Sequence, residues 1–140
     1  MAFIENVSWE NVRKGIHTHP GTKSLLIQIV DSNSAFPVPK YEFNEVRQYK
    51  FLDVEDTDLL EYKNAITDSQ AKDIADTLQY AIANDINVIV HCHMGVCRSG
   101  AVVEVGVMLG FIDTKQWRLP NLMVKHKLMK YLDMLPYSNT

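Results

Sequence analysis

Three β-branched residues, Val88-Ile89-Val90, run directly into His91-Cys92-His93-Met94-Gly95-Val96-Cys97-Arg98-Ser99-Gly100, and an apolar stretch ending near Gly110 follows. This reads as a buried strand, a short glycine-containing loop and a helix, with a cysteine at the strand's end and an arginine at the helix's start. A helix N-terminus offers unpaired N–H groups and the positive end of a dipole, which together make an anion site. Gly95 lets such a loop take backbone angles closed to other residues and turn its amides inward. Arg98 can grip two oxygens of a phosphate. A positive field of this kind activates a cysteine as a nucleophile. An anion cradle with a thiol at its floor is suited to phosphoryl transfer from a bound monoester.

The rest of the chain frames that segment with alternating elements. Leu25 to Val30 has the look of a buried strand, and Tyr49-Lys50-Phe51-Leu52 with Val54 that of another. Ser8 caps a short helix, WENVRK, that stops at Gly15. Residues 17–22 read as a turn, and residues 31–40, with Pro37 and Pro39, as an irregular loop. Thr67 and Gln70 form a capping box ahead of a helix whose Ala71, Ile74, Ala75, Leu78, Ala81 and Ile82 share one face. Pro120-Asn121 opens a last helix that ends before Pro136. Strands alternating with helices predict an α/β fold: one domain over residues 1–140, with a mostly parallel central sheet flanked by helices. In such sheets ligands sit at the carboxyl ends of strands, where Asp53 and Cys92 both fall.

His91-Cys92-x5-Arg98-Ser99, with its preceding strand, mid-loop Gly95 and following helix, resembles the signature of the cysteine-based protein phosphatases, the tyrosine and dual-specificity enzymes. The resemblance covers residues 49–110 best, with an echo in Pro120-Asn121 and the last helix. It implies a phosphatase of dual-specificity type that works without metal or organic cofactor. Cys92 would be the nucleophile that forms a phosphocysteine. Arg98 and the loop of His93, Met94, Gly95, Val96 and Cys97 would bind the phosphoryl oxygens. Ser99 would hydrogen-bond the sulfur, and His91 would support the loop. The family's general acid often stands as aromatic-x-Asp after a strand. Phe51-Leu52-Asp53 fits, 39 residues before Cys92, and Asp56 is the alternative, 36 residues before it. The proline common beside this acid is missing.

Composition bears on what else the chain could be. Of 140 residues 46% are hydrophobic and 22% charged, with a formal charge of −3. These values describe a globular domain and give no electrostatic footprint for nucleic acid or an anionic membrane. The start, MAFIENVSWE, lacks the cationic, apolar character of a signal peptide. With only Cys92 and Cys97, no disulfide framework forms. A monomeric, cytoplasmic protein is expected. Other readings compete with the enzyme. His91, Cys92, His93 and Cys97 with His17-x-His19 are zinc-type ligands, although Arg98 beside them would repel a cation. A phosphatase fold that only binds phosphorylated partners is a second. Members of the resembled family that act on inositol lipids often carry lysines inside the loop; none stands there here, which favours phosphoproteins over polyphosphorylated lipids, with a small phosphomonoester the other substrate class.

Overall fold

The computed structural model describes residues 1–54 and 64–135. Five parallel strands form one sheet in the order β3-β2-β4-β1-β5. They are β1 (Phe3–Ser8), β2 (Ser24–Val30), β3 (Glu45–Lys50), β4 (Asn87–Cys92) and β5 (Ile112–Asp113). Helix α1 (Trp9–Lys14) covers one face; α2 (Asp68–Ala83), α3 (Arg98–Leu109) and α4 (Leu122–Tyr131) cover the other. The α/β class and the parallel sheet are as expected.

Alternation along the central strands divides the interior between the two faces. Leu25, Ile27 and Ile29 of β2 join Ile4, Val88 and Val90 in the large core with Ile74, Leu78 and Val102. Leu26 and Ile89 point the other way, to Val7 and Val12. The helix signals act as read. The Ser8 hydroxyl accepts from Asn11 N, and Gly15 closes α1 in the left-handed region. Thr67 and Gln70 complete their capping box at α2.

Two elements differ from expectation. The strand read over Tyr49 to Val54 lies at Glu45–Lys50, in register with β2 from Leu25↔Glu45 to Val30↔Lys50. Phe51 N adds one more bond, to Val30 O, and the ladder ends there because β2 has ended. β3 is an edge strand whose outer residues are polar and exposed, so its sequence lacks the apolar look of an inner strand. The second difference is β1. The acidic start of the chain is an inner strand, paired with β4 on one side and β5 on the other. Glu5 and Asn6 disguise it: both are buried, and both have hydrogen-bonding partners. Among the described residues no helix is long and apolar enough to cross a membrane.

β1 therefore carries part of the core. Ile4 is fully buried between β4 and α3, and its side chain packs against the α3 backbone at Gly106. Ile4→Ala should cost about 2–5 kcal/mol in urea unfolding. A loss under about 0.5 kcal/mol, the scale of surface changes, would show that β1 is peripheral.

Candidate active site

β1, β2 and β4 end side by side at Ser8, Val30 and Cys92, and the segment from Cys92 to Arg98 curls above them. The curl is held from outside through its carbonyls. Trp9 N donates to His93 O at 3.1 Å, Leu119 N to Val96 O at 3.2 Å and Asn121 N to Cys97 O at 2.9 Å. Asn6 Nδ2 donates to Gly95 O at 2.8 Å. With four carbonyls tied outward, the peptide planes turn their N–H groups toward the inside. No described group accepts the amide hydrogens of Met94, Gly95 or Val96. Such a ring of inward amides is an anion nest. Gly95 makes the curl possible: its φ is +74°, and a Cβ there would meet Ser8 N at 2.4 Å and Val7 C at 2.5 Å.

Cys92 closes the floor, 2% exposed, with its Sγ 3.1 Å from Ser99 Oγ. Ser99 lies in the first turn of α3, one residue past Arg98. The cap is Cys97, and the Ser99 hydroxyl is directed to the sulfur. His91 is fully buried; its Nδ1 lies 3.5 Å from Cys92 O, and its Nε2 has no partner among the described residues. Burial first, with the positive Arg98 nearby, pulls the imidazole down to a pKa of about 4. It is therefore neutral at physiological pH. It supports the strand end by packing and one long hydrogen bond, and contributes no positive charge.

The Arg98 side chain is held by two groups that the sequence did not suggest. Its Nη1 donates to Asp31 Oδ1 at 2.7 Å and to Phe51 O at 2.7 Å. Nε and Nη2 have no partner among the described residues, so one edge of the guanidinium is left for an oxyanion. Asp31 stands one residue past β2, in a segment that its prolines and asparagine mark only as a loop. Only the parallel pairing of β2 with β4 brings it beside Arg98. A groove of about 410 Å³ opens there, between Trp9, Asp31, Ala35 and His93.

Asp53 is exposed, three residues beyond β3, and Phe51 is buried in the core beneath it. Its Oδ1 accepts from Asn121 Nδ2 at 2.6 Å. Asn121, fully buried, also donates to Val54 O, caps α4 through Val124 N and gives its own N–H to Cys97 O. One residue thus ties the Asp53 segment, the curl from Cys92 to Arg98 and α4 together. Asn121 was visible in the sequence only as a helix opener. Asp56 lies outside the described residues.

The histidine and cysteine ligands of the zinc reading do not converge. His17 and His19 instead pack on Tyr41, with ring centroids 5.4 and 4.8 Å apart. Among the described residues no three His, Cys, Asp or Glu side chains are grouped to hold a metal ion.

No family model matches this sequence, and no curated protein matches it. Solved structures do. A human tyrosine phosphatase-like serine/threonine/tyrosine-interacting protein superimposes with a TM-score of 0.62 at 15% identity, over 94% of this chain and 91% of that one. Human DUSP28 gives 0.53 at 12% identity, over 97% and 83%. The tyrosine phosphatase OH1 from the Orf virus gives 0.50 at 17%, over 96% and 71%. The fold of this chain, a five-stranded parallel sheet flanked by helices, is the one these phosphatase and phosphatase-like structures share.

Proposed function

We propose that the protein is a cysteine-dependent phosphatase that hydrolyses phosphate monoesters, with phosphoproteins as its main substrate class, in a reducing, cytoplasmic setting. The outward tethering of four loop carbonyls around Cys92 carries this reading. It supports an amide cradle that is formed before any anion arrives, as electrostatic catalysis requires.

The steps follow from the residues. The phosphate settles on the loop amides of residues 93–98 and on the open edge of Arg98. Cys92 Sγ attacks phosphorus and the ester oxygen departs, taking a proton from Asp53 (with Asp56 the alternative donor). The same carboxylate then removes a proton from water, whose oxygen attacks the phosphocysteine. Phosphate leaves, and the Ser99 hydroxyl donates to the departing sulfur. Likeness to a protein described as phosphatase-like supports a second reading, a module that binds phosphorylated partners without turning them over.

The purified protein should hydrolyse an aryl phosphate without added metal, resist chelators and be inhibited by vanadate. Cys92→Ser should abolish turnover while retaining inorganic phosphate binding. An active Cys92→Ser protein, or loss of wild-type activity on chelation, would exclude the mechanism. Phosphate binding by a wild type that turns nothing over would select the binding module.

Asp53→Asn should slow turnover by roughly two to four orders of magnitude and flatten one limb of the pH profile, and Asp56→Asn should do much less. The reverse pattern transfers the role to Asp56.

Asp31→Ala frees the arginine to swing. It should lower kcat/KM by roughly 10- to 100-fold, the scale of a misplaced binding group. Asp31→Asn, which keeps an acceptor oxygen, should recover much of it. Tighter phosphate binding in Asp31→Ala would instead make the carboxylate a competitor of the substrate.

A further inference from the structure

Behind the phosphate loop, on the side away from its inward amides, lies a second cavity of about 250 Å³. β5 pairs with β1 only at Phe3 and Ile4, so the edge of β1 from Glu5 to Ser8 is left open, and the cavity occupies that gap. Its floor is rich in acceptors. Glu5 is 1% exposed, and its carboxylate receives Thr18 N at 2.9 Å and Thr18 Oγ1 at 2.5 Å. No lysine or arginine among the described residues pairs with it. Arg118, on the segment that borders the cavity, is committed to Asp113 and Glu104. Asn6, 5% exposed, spends its amide hydrogens on Gly95 O and Trp117 O, and its Oδ1 has no partner among the described residues. A buried carboxylate without a cation, and an unsatisfied amide oxygen on the next residue of the same open strand edge, are each costly in a folded protein and favour a positive, hydrogen-donating group nearby.

The rim has the opposite character. Ile16, Met94 and Trp117 border the cavity and are 58%, 71% and 69% exposed. An apolar rim, an exposed indole and an acidic floor suit one kind of group: a methylene stem ending in a cation. Such a stem would lie along Ile16 and Met94, and its charge would meet the Trp117 ring and the Glu5 carboxylate.

We propose that this cavity is a subsite for the lysine or arginine side chain of a phosphorylated protein segment whose phosphate lies in the cradle. The inference rests on the phosphatase reading for the identity of that segment, while the chemistry of the cavity is independent of it. Residues 94–96 wall both sites, so the cation belongs to a residue near the phosphorylated one. An extended chain advances roughly 3.3 Å per residue, so the three positions on either side reach about 10 Å from the phosphorylated one.

The test uses Cys92→Ser protein, which traps substrate, and phosphopeptides carrying a single arginine at each of the three positions on either side of the phosphoresidue. Each peptide is compared with its norleucine counterpart by calorimetry. At one position arginine should bind roughly 5- to 20-fold more tightly, the range of a partly desolvated cation–π and carboxylate contact. The advantage should shrink in high salt. It should fall below about twofold when Glu5→Gln or Trp117→Ala is added. Trp117 is exposed, so its variant decides the matter if Glu5→Gln fails to fold. An arginine advantage at no position, or one that survives Trp117→Ala, overturns the subsite. Hydrolysis of aryl phosphate by the Cys92 protein is scored separately. An active enzyme without arginine preference loses only the subsite, and an inactive protein with it loses only the phosphatase reading.

Discussion

The loop that holds Cys92 depends on hydrogen bonds made by other parts of the chain. The donors to its carbonyls come from β1, from the first residue of α1 and from the segment before α4. A seven-residue curl has too few internal bonds to fix its own peptide planes, and free planes would turn their amides to water. Anchoring the carbonyls outward settles the orientation without touching the inner surface. Gly95 is placed where the anchor is closest, against the backbone of Val7 and Ser8, where no Cβ fits.

The buried polar groups gather at this end of the sheet for the same reason. Asn6, His91, Arg98, Ser99 and Asn121 are each at most 5% exposed. An apolar residue at any of these positions would pack without the cost of burying a polar group, but would hold nothing in place. Because the His91 imidazole is neutral, the positive field at Cys92 comes from Arg98 and the start of α3. Arg98 itself is not left to find its orientation: one nitrogen is occupied by Asp31 and the Phe51 carbonyl, on two neighbouring strand ends.

What could be read in the sequence divides along the distance over which each signal acts. The segment from Val88 to Gly110 was legible because strand, loop and helix are contiguous and each residue type has a local reason. The caps at Ser8 and Thr67, and the opening of the last helix at Pro120-Asn121, were legible likewise. β1 was not, since Glu5 and Asn6 break the apolar pattern and their partners, Thr18, Gly95 and Trp117, are remote or irregular in sequence. Asp31 looked like any acid in a surface loop; its role depends on a strand order that places β2 next to β4. Asn121 reaches Asp53 across 68 positions, a pairing that no local pattern encodes.

The placement of β1 also bears on how the molecule assembles. Its partners, Val88 and Ile112, come more than eighty residues after Ile4 and Phe3 in the chain. Closing so long a loop costs entropy that is recovered only once the strand is seated, so pairings of this kind form late and slow the whole reaction. The β2–β3 pair and α2 involve nearer neighbours and can organise first. During synthesis the first strand must wait, unpaired, until β4 has emerged. The curl from Cys92 to Arg98 can therefore take its tethered shape only in chains that have completed the sheet, since partly folded ones lack the bond from Asn6 that holds it.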